Sequence, residues 1–238
     1  MKTLWIIGGL LVALATGGAY GAYTLGDWYV SGTWRYKVTI ALDTPEGLKT
    51  GSAVYELSNS DSKIKIIDLP EVGNPGILRG EAVVVDLGAR GLLFSLVPDE
   101  HWFYSAIPVP GSAGASTLEG IRYYKNLKQA KAVLAPAQYP QMVMFKEITD
   151  PKSVTMAYGG VFDGEKQDHV PKDAMAELFG AGVTIKDVTI EMTEEPVTTG
   201  IEKQLGWLEG LHGSYLHGGT TSREAPLGLY AGNFKTGR

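Results

Sequence analysis

From residue 3 to residue 26 the chain carries no charged side chain, and residues 4–25 are almost wholly apolar, small or aromatic. Nothing else in the sequence limits its fate so strongly. About 22 residues at 1.5 Å rise make a helix of roughly 33 Å, the thickness of a bilayer's hydrocarbon core. Trp5 stands near one end, and Tyr20, Tyr23, Trp28 and Tyr29 gather near the other. Aromatic residues with a polar tip favour the membrane–water boundary. Residues 1–30 are therefore expected to form a transmembrane anchor, held in the membrane through residues 4–25. Within it Gly9, Ala13, Gly17 and Gly21 recur every fourth residue and share one helix face. So smooth a face suits close packing against another helix, from a protein partner or a second copy of this chain.

A cleaved signal peptide is the competing reading. Lys2 supplies a short basic start, and Ala13-Leu14-Ala15 and Ala19-Tyr20-Gly21 both offer small residues at cleavage spacing. Lys2 favours an inside N-terminus, while Arg35 and Lys37 beyond the span partly cancel that bias. Signal-like segments send the downstream domain outward, so the rest of the chain is expected outside the cytoplasmic membrane, periplasmic or extracellular. The absence of cysteine fits either redox compartment and decides nothing.

About 210 residues lie beyond the apolar segment, enough for a sizeable core. Apolar content of 44% and charged content of 20% are ordinary for a globular chain. The net charge of −5 argues against nucleic-acid binding, which runs on a basic surface.

Residues 34–43 alternate, with Trp34, Tyr36, Val38, Ile40 and Leu42 on one face and Arg35, Lys37, Thr39 and Asp43 on the other. That is a half-buried strand. The turn Pro45-Glu46-Gly47 predicts a hairpin return over residues 52–57. Residues 63–69 and 81–87 are further strand candidates, and Gly88-Ala89-Arg90-Gly91 predicts a hairpin between residues 82–87 and 92–97. Ser116 and Glu119 form a capping-box pattern that opens a helix extending to about Leu134. Residues 141–148 and 184–193 read as strands, residues 171–179 as a short helix, and Thr199 and Glu202 as a second capping box. Ile201, Leu205 and Leu208 would face inward from that last helix. Strands come first and helices later, without βαβ regularity. The expectation is an α+β fold, mainly antiparallel, over residues 31–209, with a Gly-rich segment at 210–238.

The runs at 79–88 (Arg-Gly-Glu-Ala-Val-Val-Val-Asp-Leu-Gly), 150–154 (Asp-Pro-Lys-Ser-Val) and 195–202 (Glu-Pro-Val-Thr-Thr-Gly-Ile-Glu) resemble a family of bacterial membrane-associated proteins that begin with a similar apolar segment. That family carries no assigned function. The resemblance implies a bacterial, membrane-associated chain and adds no active site.

Candidates for chemistry are few. Asp99, Glu100 and His101 place an acid pair beside an imidazole after a strand, where general acid–base catalysis is conceivable. A polar loop is the plainer reading. His212 and His217 sit five apart in a Gly-rich stretch and offer two metal ligands, with Glu209 a third, but match no recognised metal spacing. His169 beside Asp168 reads as part of a helix cap. Arg122, Lys125, Lys128 and Lys131 all fall on the helix expected over residues 116–134. They suit anionic lipid heads or an acidic partner, or simply a wet helix face. No nucleophile elbow, Walker loop or dinucleotide fingerprint is present, so no cofactor is expected. The leading expectation is a membrane-anchored extracytoplasmic accessory or binding protein. The alternative is an envelope-associated hydrolase using an Asp/Glu/His site.

Overall fold

The alternation at residues 34–43 becomes the first strand of a computed structural model that describes residues 29–62, 76–163, 168–211, 213–216 and 229–237. The expected membrane span, its Gly9/Ala13/Gly17/Gly21 face and the strand expected at 63–69 lie outside these residues. Among the described residues the fold is mixed, with mostly antiparallel sheet and few helices. No helix among them is long and apolar enough to cross a membrane.

Strand β1 (Tyr29–Asp43) returns through the turn at Thr44 to Gly47 into β2 (Lys49–Ser62). Both strands run longer than the pattern predicted. β3 (Ile77–Glu81) and β4 (Val83–Asp86) follow, then β5 (Leu92–Ser95), helix α1 (Glu100–Ala106) and helix α2 (Leu118–Asn126). Next come β6 (Lys131–Val133), β7 (Met142–Phe145), β8 (Val154–Asp163) and β9 (Asp168–Asp173). Helix α3 (Met175–Phe179), β10 (Thr184–Met192) and β11 (Lys235–Thr236) complete the order. A six-stranded sheet runs β11-β3-β2-β1-β10-β6, and a five-stranded sheet runs β4-β5-β7-β8-β9.

The run expected as one strand at 81–87 is split. Glu81 closes β3 in one sheet and Val83 opens β4 in the other, so Ala82 alone carries the chain between sheets. Its N–H donates to the Phe234 carbonyl at 2.8 Å, which spares a buried donor. The expected hairpin over Gly88 to Gly91 is present, with β4 and β5 paired from Val83↔Ser95 to Asp86↔Leu92.

Three helical expectations change. The helix expected to reach Leu134 stops at Asn126, whose Nδ2 donates to the Arg122 carbonyl at 2.8 Å. Lys131–Val133 instead completes the edge of β10, with Ile190 opposite Ala132. Sheet pairing at that edge overrides a propensity worth only tenths of a kcal/mol per residue. Pro171 lies in β9 opposite Gly160, so α3 starts four residues later than expected. The second capping box does not form: a short 3-10 turn, Ile201–Lys203, follows Gly200, which has no side chain to cap it.

The described residues group into two compact units. The smaller takes in residues 29–33, 58–62 and 109–126. Here Asp61 Oδ2 accepts from Leu118 N–H at 3.1 Å, and Ile121 and Tyr124 are buried. Thr117 Oγ1 accepts from Gly120 N–H at 3.2 Å, so the helix cap is one residue later than the expected Ser116.

The larger unit takes in residues 34–57, 77–108 and 127 onward. One apolar face of its six-stranded sheet carries Tyr36, Val38 and Ile40, opposite Met192, Ile190 and Val188. A bulge between Ala41 and Leu42 lets both side chains turn inward. Phe103 of α1 stacks on Tyr36 at 4.6 Å, and Tyr36 stacks on Tyr55 at 5.3 Å. A second core cluster joins Phe94, Phe145, Met156, Leu205 and Phe234, with Trp207 packed against it.

Tyr36 is fully buried, and its hydroxyl has no hydrogen-bond partner among the described residues. Burial, with smaller effects of Tyr55, Tyr104 and Asp99, pushes its pKa well above a tyrosine's ordinary value. An unpaired buried hydroxyl costs about 1–3 kcal/mol of desolvation. Tyr36→Phe should keep the ring stack and lose that cost. We expect it to stabilise by about 1 kcal/mol, raising the melting temperature by about 2–4 °C. A fall in melting temperature would mean the hydroxyl has a role the stack does not explain.

Candidate functional site

The outer face of the six-stranded sheet carries several charges in pairs. On β1, Lys37 pairs with Glu195 and lies 3.7 Å from Glu191, and Glu191 lies 3.3 Å from Lys131 of β6. Along the same face Arg35 of β1 donates from Nε to Glu56 Oε2 of β2 at 2.9 Å. Arg79 of β3 reaches the other oxygen of Glu56 at 3.8 Å. These residues come from neighbouring strands, and the two-residue repeat sends alternate side chains to this face.

Glu81 is the exception, an acid only 3% exposed. Its Oε2 accepts from Ile201 N–H at 2.8 Å, and its Oε1 lies 3.1 Å from Lys235 Nζ. Lys235 also donates to Glu202 Oε2 at 3.0 Å. The Glu202 hydrogen bond, followed by that of Glu81, holds the Lys235 ammonium pKa above the ordinary lysine value. In Glu202 the carboxyl is held lower, by its backbone hydrogen bond first and by Lys235 next.

Two recesses share the β11 residues Lys235 and Thr236 in their lining. One, of about 350 Å³, is lined by Arg35, Glu56, Arg79, Glu81, Thr198 and Lys235 among others. The other, of about 380 Å³, is lined by Glu202, Leu208, Glu209, Tyr230 and Lys235 among others. Both are near the lower end of small-molecule sites. Thr198 Oγ1 accepts from Val54 N–H at 2.8 Å, which leaves its own proton available to donate. The segment 196–199 thus forms a fixed wall, also tied by Thr198 N–H to the Val54 carbonyl at 3.1 Å.

The residues singled out from sequence lie elsewhere. Asp99 is the N-cap of α1, its Oδ1 accepting from Trp102 N–H at 2.9 Å. Glu100 occupies the first turn, where a carboxylate complements the helix dipole. His101 is exposed on the same turn. The three are neighbours in one helix start, and the first two have structural work there. His212 and His217 lie outside the described residues. Among those described, no group of three His, Cys, Asp or Glu side chains could hold a metal ion.

The basic quartet is divided. Arg122 and Lys125 are on α2 in the smaller unit, where Lys125 donates to the Ser31 carbonyl at 3.3 Å. Lys128 and Lys131 belong to the larger unit and pair with Glu194 and Glu191, at 3.1 and 3.3 Å. Exposed pairs like these contribute little to stability.

Sequence reasoning passed over Glu56, Arg79, Glu81 and Lys235. One signal was available: Glu81 heads an otherwise apolar run, Ala-Val-Val-Val, and a buried carboxylate demands a partner. No protein-family model, curated protein or solved structure matches this chain, so the site's role rests on its own residues.

Proposed function

We propose that this chain is a membrane-anchored accessory protein that holds a ligand and does not transform it. Residues 4–25 form its anchor, and the folded part lies on the extracytoplasmic side of the cytoplasmic membrane. One observation carries the binding reading: a recess whose charged walls come from four strands and whose two lining carboxylates, Glu56 and Glu81, are both held in fixed ion pairs. Such an arrangement suits recognition. A hydrolase would need a group free to move a proton, and Asp99, its sequence candidate, is committed to a helix cap. The anchor reading is supported by the uncharged span and its flanking aromatics.

The native chain has no cysteine, so a single engineered thiol reports location. Ser112 is exposed, and Ser112→Cys in the full chain should react with a membrane-impermeant maleimide in intact spheroplasts. The protein should also stay in the pellet after carbonate extraction. Labelling only after lysis would overturn the orientation, and release by carbonate would overturn the anchor. For the binding reading, the full chain in detergent micelles is screened for compounds that raise its melting temperature. Turnover of any such compound that is lost in Asp99→Asn or His101→Ala would replace the binding reading with the hydrolase.

A further inference from the structure

The recess between β3, β11 and the 196–199 wall has more hydrogen-bond donors than its own carboxylates use. Lys235 is shared by Glu81 and Glu202, and Arg35 is bound to Glu56. Counting Glu202, three cations face three carboxylates, so the local charge is balanced. The donors are not. Arg79 lies 3.8 Å from Glu56, beyond hydrogen-bond range, and its guanidinium makes no hydrogen bond among the described residues. Its side chain is 55% exposed. Thr198 retains its hydroxyl proton, and Thr199 lines the same wall.

The stem of Arg79 is nevertheless fixed. A Cβ at Gly237 would stand 2.3 Å from Arg79 Cγ and 2.9 Å from its Cα. Gly237 also has φ of 75°, a left-handed conformation that glycine adopts without strain. The stem of the arginine thus packs on bare backbone, and its head lines the recess. A stem held in place before binding loses less freedom when a ligand arrives.

We propose that this recess is an anion site that takes the carboxylate of a small molecule, with Arg79 as the principal ligand-binding residue. A guanidinium offers parallel N–H donors that match the two oxygens of a carboxylate. The Thr198 and Thr199 hydroxyls supply further donors, and Pro196 and Val197 give an apolar wall for a short aliphatic stem. The volume of about 350 Å³ accommodates a small acid. Phosphate shares the anion chemistry and is distinguished by experiment. The assignment deepens the binding reading above and depends on this recess being the ligand site.

The test is calorimetric titration of the full chain in detergent micelles with sodium propionate and, separately, inorganic phosphate. Sodium chloride holds ionic strength constant. Wild type should bind one equivalent of propionate saturably. Arg79→Gln should weaken binding by about tenfold or more, the effect of losing a charge-assisted pair. Thr199→Val should weaken it less, and Lys152→Gln, on the exposed surface far along the sequence, should leave it unchanged. Because Arg79 is half exposed and makes no hydrogen bond among the described residues, its replacement should leave the melting temperature near that of wild type. Saturable binding of phosphate alone, with the same loss in Arg79→Gln, supports the anion site and names phosphate as its guest. Folded wild type that binds neither probe, or binding that Arg79→Gln leaves intact, overturns the assignment. Stabilisation by an uncharged compound from the screen would then leave the binding reading standing. Turnover of a bound carboxylate would do the reverse.

Discussion

Glu81→Ala is expected to destabilise the larger unit by about 2–4 kcal/mol, chiefly the cost of leaving a buried N–H without its acceptor, with a smaller part from the weakened pairing of Lys235. Three losses combine. The Lys235 ammonium loses its buried counter-charge and keeps only Glu202, and the N–H of Ile201, whose side chain is 4% exposed, loses its acceptor. A small void also opens beneath β3. Glu81→Gln separates these, because the amide oxygen still accepts from Ile201 while the charge is gone, so its cost should be smaller. Chemical unfolding followed by tryptophan fluorescence reads both. A change below about 0.5 kcal/mol for the alanine variant, the level of an ordinary surface substitution, would show that the pair is not structurally important.

Lys235, held by Glu202 first and by Glu81 next, sets a pH response. The Lys235 pKa is raised in the folded state, so its contribution is complete below the unfolded lysine value of 10.5 and is lost as pH rises through the folded value. Wild type should therefore lose stability in the alkaline range above pH 10.5. Lys235→Met should show less of that loss.

Phe234→Ala has a comparable expected effect, about 3–5 kcal/mol for a fully buried aromatic. Phe234 lies 5.6 Å from Phe145, 6.2 Å from Phe94 and 6.1 Å from Trp207, so it touches three rings that belong to other elements. None of them can collapse into the space without leaving another. Its carbonyl also receives Ala82 N–H. Disorder at residue 234 therefore endangers the point where the chain passes between sheets. Amide exchange should quicken at Ala82 and along β4 in the variant. Phe234→Leu, which keeps most of the volume, should cost clearly less. Equal costs for leucine and alanine would show that ring contacts add nothing beyond filling space.

The sheet was legible in the sequence where pattern and partner are local. The alternation of Trp34 to Leu42 marked the buried face of β1, and the glycines at 88 and 91 marked the β4–β5 hairpin. Ile201, Leu205 and Leu208 were rightly placed in the core, although no α-helix carries them: Ile201 opens a 3-10 turn, and Leu205 and Leu208 lie in the irregular turns after it. The polar loop expected around Asp99 is instead the N-terminus of a helix, because an N-cap acid and a loop acid look alike in a string of letters. The candidate site was illegible for a different reason. Glu81 and Ile201 meet across 120 residues, and Arg79 meets Gly237 only because β11 returns beside β3. No periodicity encodes such meetings.

β11 and Phe234 have a bearing on how the protein is made. The strand that seats Arg79, the lysine that answers Glu81 and the ring that closes the aromatic cluster all lie between residues 234 and 237. A nascent chain emerges from its amino end, and the larger unit stays open along one sheet edge until these residues arrive. Loops that long close slowly. Until then the emerging chain, which on the proposed topology also crosses the membrane, has Glu81 unanswered and its aromatic core incomplete. Folding of this unit therefore waits for residues made long after Glu81, and loss of residues 234–237 removes the closing piece of the sheet.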